Sequence, residues 1–246
     1  MISLIREQLN CFNDIKFDFD PKLHRYTYDD KPFISVTTYI QQFHKQFQKD
    51  YWSKRKSDES GFPQEFILAE WKRINDYANE VGTETHQWIE NYFNKVWAPL
   101  PLNQDVLHRI NKFNHIYVKQ LYKLEPIKSE VMVFSKKWSI AGMIDALFLY
   151  RGKIYIVDYK TNKDFTTDDN CKYPEKLLPP FSDFNKTHLN EYSIQISLYS
   201  LILEEWGFNV AGGYILHIGP DDGEAKLYKC ADMRETLRKY LDDNVV

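Results

Sequence analysis

The chain has 246 residues, 43% of them hydrophobic, enough for a substantial core and too many for intrinsic disorder. Lys+Arg at 32 against Asp+Glu at 35 leave a net charge of −3, which excludes an overall basic nucleic-acid coat and confines any such contact to a local patch. Cys11, Cys171 and Cys230, odd in number and far apart, fit neither a disulfide framework nor a CxxC metal or iron–sulfur site. No stretch approaches the roughly 20 apolar residues of a membrane span, and the start, MISLIREQLNCFND, lacks the apolar core and cleavage site of a signal peptide. A soluble cytoplasmic protein with reduced thiols is expected.

In chain order, residues 24–40 hold two β-prone runs around the polar break Asp29-Asp30-Lys31-Pro32, the pattern of a small hairpin. From Ile40 to Lys56 the charges turn basic, with Phe43, Phe47, Tyr51 and Trp52 interleaved. This mixture suits a nucleic-acid backbone, with Lys54 and Arg55 as contacts. The four-residue recurrence of Phe43, Phe47 and Tyr51 equally describes a solvated helix with a core stripe. Pro63 precedes helical spacing from Gln64 to Asn94, in one helix or two. Asn103 is placed to cap a further helix that ends near Pro126.

The period then changes. Residues 130–160 are apolar and β-branched or aromatic, with short polar breaks at Lys136-Lys137 and Arg151-Gly152, which predicts a three-stranded antiparallel meander. Residues 161–190, with Pro174, Pro179 and Pro180, form a long irregular connection of the kind that is usually functional. Helical spacing returns from Tyr192 to Trp206, followed by a strand from Val210 to Ile218 and a short helix from Met233 to Leu241.

The chemistry lies in the meander. A two-residue loop at Arg151-Gly152 sets Tyr150 opposite Lys153, and counting outward sets Asp145 opposite Asp158. Lys160, two residues on, shares a face with Asp158. Like charges facing each other destabilise a sheet, so a divalent cation between the carboxylates would offset the repulsion. Oxygen ligands select Mg²⁺ or Mn²⁺, and an adjacent lysine can hold a water, which together describe hydrolysis of a phosphate ester. The alternative is a plain Asp158–Lys160 ion pair at a strand end.

Gly142-Met143-Ile144-Asp145, followed by Asp158-Tyr159-Lys160, resembles the GxxD…DxK core of the PD-(D/E)XK nuclease superfamily. Gly82-Thr83-Glu84-Thr85-His86 is similar to the GTxxH motif of its RecB-like exonuclease branch, and Gln195 to Tyr199 is similar to the QxxxY motif, all in the family's order. Ser35-Val36-Thr37 looks like the start of phage-encoded members. The resemblance implies an α/β, restriction-endonuclease-like core with a central mixed sheet. It implies that Asp145, Asp158 and the backbone carbonyl of Tyr159 bind metal with His86 as a further ligand. Lys160 would position the attacking water, and Gln195 and Tyr199 would meet DNA backbone and base. The four-cysteine iron–sulfur branch is not matched.

Weighed singly, a helical histidine such as His86 is more often a surface or core residue, and the GTxxH string reverses that weighting. Glu130 opens the meander and either touches a second metal or pairs with a base such as Lys137, while Glu84 and Glu90 read as solvated helix charges. Gln195 and Tyr199 otherwise form an ordinary amphipathic face. The expectation is one domain over 1–246, with a hairpin and basic helical elaboration in 1–62 and a nuclease core in 63–246. Its function would be a DNA exonuclease using one or two Mg²⁺ or Mn²⁺ ions on single-stranded ends. A structure-specific endonuclease and an inactive nucleic-acid-binding accessory are the alternatives.

Overall fold

The computed structural model describes every residue except His24, Tyr173, Pro174, Val245 and Val246, so Pro174 of the long connection lies outside the described residues. Helix α1 (Ile2–Gln8) is followed by strands β1 (Phe17–Asp20), β2 (Arg25–Tyr28) and β3 (Lys31–Ser35). The β2–β3 turn falls on the expected polar break. Asp29 and Asp30 take left-handed conformations, φ 52° and 63°, in the two-residue turn whose twist suits a hairpin. β1 adds a strand that the sequence pattern does not mark, and its Phe17 and Phe19 both pack on Tyr26 of β2.

Helix α2 (Val36–Ile40) starts where the Ser35 hydroxyl accepts the Thr38 N–H at 3.0 Å. Helix α3 (Lys49–Ser60) and helix α4 (Gln64–Asn94) follow, and α4 is one continuous helix of 31 residues opening after Pro63. The expected stripe of Phe43, Phe47 and Tyr51 does not form. Phe43 is fully buried, whereas Phe47 and Tyr51 stand 66% and 57% exposed, because the helix does not begin until Lys49. Helix α5 (Gln104–Ile116) is capped by Asn103 as expected. It runs into a π-helical turn, Tyr117–Leu121, and stops short of Pro126, which stands in strand β4 (Glu125–Ser135). Proline is tolerated on an edge strand, and Arg6 of α1 donates to the carbonyls of Pro126 and Ile127.

Strands β5 (Ile140–Tyr150) and β6 (Lys153–Lys160) complete the meander, with Tyr150 opposite Lys153 across Arg151-Gly152 as the spacing predicts. Helix α6 (His188–Glu205) begins one turn before Tyr192 because the Thr187 side chain caps it, accepting the Asn190 N–H. Strand β7 (Val210–His217), strand β8 (Lys226–Lys229) and helix α7 (Arg234–Asp243) close the described chain.

The strands form one mixed sheet in the order β1-β2-β3-β5-β6-β7-β8, with β4 paired to β5. One face packs on α6 and α7 through Ile156, Ile215, Leu198, Ile202 and Leu237. The other packs on α4 and α5 through Phe148, Val157, Leu216, Ile89 and Phe113. The first core also takes in Leu9, Phe12, Val36 and Phe43 of the N-terminal segment. Among the described residues no helix is long and apolar enough to cross a membrane.

β5 positions the site. Ile140 pairs with Ser135 of β4 and Ile34 of β3, while Ala146 pairs with Ser129 of β4 and Val157 of β6. A strand has two edges, so β3 and β6 share the edge opposite β4 and part from each other between Ala141 and Ala146. The fork exposes Gly142-Met143-Ile144-Asp145 on that edge, the segment that carries the GxxD spacing.

Candidate active site

A cleft of about 560 Å³ opens at this fork, lined by residues of β3, α2, α4, β4, β5, β6 and α6. Two glycines make it. A Cβ on Gly142 would stand 2.8 Å from the Tyr199 ring, and one on Gly82 would stand 3.0 Å from the Thr161 hydroxyl, so glycine lets α6 and α4 close on the sheet. Tyr199 then donates its hydroxyl proton to the Met143 carbonyl at 2.8 Å, satisfying a backbone group that the fork leaves without a ladder partner. Tyr199 is only 3% exposed and lines the cleft, where its hydroxyl braces β5.

Asp145 is not the facing partner of Asp158. The β5–β6 ladder ends at Ala146 and Val157, and the Asp145 carboxylate turns to accept the Tyr159 N–H at 2.7 Å. Asp158 is buried on the α6 side. One of its oxygens accepts from the Gln195 amide at 2.9 Å, and the other pairs with Lys160 Nζ at 2.7 Å. Gln195 is itself buried and lines the cleft, its Nε2 donating to Asp158. Burial pushes the Asp158 carboxyl up to about 6 against the pull of Lys160. For Lys160 burial opposes the charge, but Asp158 and Asp145 outweigh it and hold the ammonium above the ordinary lysine range.

The group that converges on one point is His86, Glu130 and Asp145, whose ligand atoms all lie within 4.8 Å of one another. His86 comes from α4, one turn after Gly82, and its Nδ1 lies 3.6 Å from Asp145. Its ring meets the edge of the Tyr159 ring, centroids 5.7 Å apart. Glu130 sits across β4–β5 from Asp145, between the ladder pairs Ser129–Ala146 and Val131–Ile144, in a left-handed conformation of φ 48°. It does not pair with Lys137, which is taken by Asp242 at 2.7 Å. Burial, then the charges of Asp145, Glu90 and Asp158, push the Glu130 carboxyl up to about 8. An imidazole and two carboxylates that repel each other suit a hard or borderline divalent cation, whose charge would offset that cost.

Glu90, partly exposed, lines the same cleft and accepts from the Gln87 amide at 2.8 Å. Asn79, Gly82, Thr83, His86, Gln87 and Glu90 form one polar stripe of α4 facing the cleft, and their spacing from His86 is the signal that could have picked them out. Ser35 and Thr37 form part of the lining at the start of α2. Lys54 and Arg55 do not line this cleft. On α3 they pair four residues on with Asp58 at 2.9 Å and Glu59 at 2.8 Å. Among the described residues Cys11, Cys171 and Cys230 are free thiols.

A forked mixed sheet with a candidate cation cluster beside a buried acid–lysine pair defines the class, an α/β protein whose cleft gathers titratable side chains. No family model matches the chain. It is 26% identical over 117 residues to the RecBCD enzyme subunit RecB of Buchnera aphidicola subsp. Baizongia pistaciae, a match covering 48% of this chain and 9% of that protein. The chain thus spans less than a tenth of the curated relative that it matches. Among solved structures, a protein of Eubacterium rectale provisionally named an exonuclease aligns at a TM-score of 0.44 and 14% identity, over 68% of this chain and 64% of that one.

Proposed function

We propose that the chain is a metal-dependent DNA nuclease of the RecB-like exonuclease branch of the PD-(D/E)XK superfamily, of phage type, acting on free single-stranded ends. The convergence of His86, Glu130 and Asp145 beside the Asp158–Lys160 pair carries this reading. The partial relationship to RecB and the order of the GTxxH, GxxD, DxK and QxxxY motifs support it.

His86, Glu130, Asp145 and the Tyr159 carbonyl would hold Mg²⁺ or Mn²⁺, with Asp158 adjoining, as one ion or two. When bound, such a cation acidifies a water and neutralises charge developing on the phosphoryl oxygens. The Tyr159 N–H fixes the rotamer of Asp145, and the Gln195 amide fixes that of Asp158. Asp158 keeps Lys160 protonated and oriented, so that Nζ can donate to the attacking water. Lys54 and Arg55 would reach phosphates by exchanging exposed intrahelical pairs that contribute little to stability.

The lining puts α4, the start of α2 and α6 around one cleft, an approach suited to threading a strand end. The test compares linear with circular single-stranded DNA of the same sequence. Degradation of the linear strand to nucleotides or short oligonucleotides, with the circle intact, is expected. Equal cleavage of the circle would replace the exonuclease with an endonuclease using the same site.

A further inference from the structure

Lys160 has a second neighbour that none of the motifs contains. Its Nζ lies 4.6 Å from the centroid of the Tyr192 ring, on the first turns of α6, while its carboxylate partner Asp158 is 2.7 Å away. Tyr192 is itself held in place. Its ring stacks near Phe165 of the 161–187 connection and His188 of α6, at 6.1 and 6.2 Å, and Phe165 in turn stacks on His217 and Tyr228 at 4.7 and 4.6 Å. An ammonium has three N–H groups on a freely turning bond, and a lysine stem has four rotatable carbons. The ammonium is thus attracted by the Asp158 carboxylate on one side and by the Tyr192 ring face on another. Lys160 lines the cleft, and among the described residues Asp158 is the one carboxylate that Nζ pairs with.

We propose that Tyr192 is a positioning residue for Lys160, its ring face holding the ammonium so that one N–H is directed at the water or phosphate oxygen in the cleft. The proposal rests on the nuclease reading above. It also gives the long connection a task, since Phe165 is what backs the Tyr192 ring. The hydroxyl of Tyr192 has no part in it. A ring face is required, whatever its substituent.

The experiment replaces Tyr192 in the full chain and follows single-stranded DNA hydrolysis with Mn²⁺. Tyr192→Leu should lower kcat about tenfold, the size of a partly desolvated cation–π contact, with KM for DNA and calorimetric Mn²⁺ affinity unmoved. Tyr192→Phe should restore most of what Tyr192→Leu loses. Phenylalanines carrying one, two and three ring fluorines at position 192 keep the shape but weaken the ring's negative face, so kcat should fall stepwise with each fluorine. That series decides the matter even if Tyr192→Leu folds poorly. A flat fluorine series, or Tyr192→Leu turning over as fast as Tyr192→Phe, overturns the proposal while the nuclease stands. Absence of hydrolysis by the wild type with Mn²⁺ would instead overturn the nuclease reading, and undiminished hydrolysis by Lys160→Ala would remove the role of Lys160; either takes this proposal with it.

Discussion

Glu130 shows at the scale of one residue what the site costs when no cation is bound. Its carboxyl is pushed up to about 8 by burial and by Asp145, Glu90 and Asp158, whereas an unfolded glutamate titrates near about 4. With a raised folded-state value, the folded chain keeps a proton that the unfolded chain releases. The contribution of Glu130 to stability is therefore fully present below about pH 4 and is lost as pH rises through about 8. In chelator the melting temperature should fall across that window, and Glu130→Gln should flatten the fall. A slope as steep in Glu130→Gln as in the wild type would place the burden elsewhere. The charge types at Asp145, Asp158 and Lys160 are readable from a two-residue turn and a period of two. The grouping is not. Asp145 turns to the Tyr159 amide where the ladder ends, and Glu130 reaches the cluster through a left-handed backbone that no spacing announces.

Among the elements, β5 is the most legible, because a strand buried on both faces reads as an apolar run and its turns carry their own residues. The fork beside it is hidden, since the pairing of β3 with Ile140 and Ala141 joins segments a hundred residues apart. β1 and β8, four residues each, are too short to show a period. The role of Tyr199 is hidden for a related reason: its partner is the Met143 carbonyl across the fork, and the glycine that admits the ring belongs to another motif. For α3 the signal is present but spread over a longer stretch. A window ending at Lys56 omits Asp58 and Glu59, the acids that pair with Lys54 and Arg55. If DNA does draw those cations away from their weak partners, Lys54→Ala with Arg55→Ala should reduce the slope of log binding constant against log salt by roughly 0.7 for each phosphate that α3 no longer neutralises. An unchanged slope would take α3 out of the DNA path.

For the whole molecule, two helical layers press a mixed sheet from either side, and the fork in that sheet brings α4 and α6 to the same point. From α4 comes His86, and from α6 come Gln195 and Tyr192, which hold Asp158 and Lys160. The central claim is that this meeting point hydrolyses DNA with a divalent cation and Lys160. It is tested most directly by following end-labelled linear single-stranded DNA in EDTA and then with Mg²⁺ or Mn²⁺ added in excess, for the wild type and Lys160→Ala side by side. The wild type should be silent in EDTA and active with either cation, and Lys160→Ala should lose about a thousandfold or more in rate while binding DNA within about tenfold of the wild type. Hydrolysis at full rate in EDTA, or turnover by Lys160→Ala close to that of the wild type, would contradict the account.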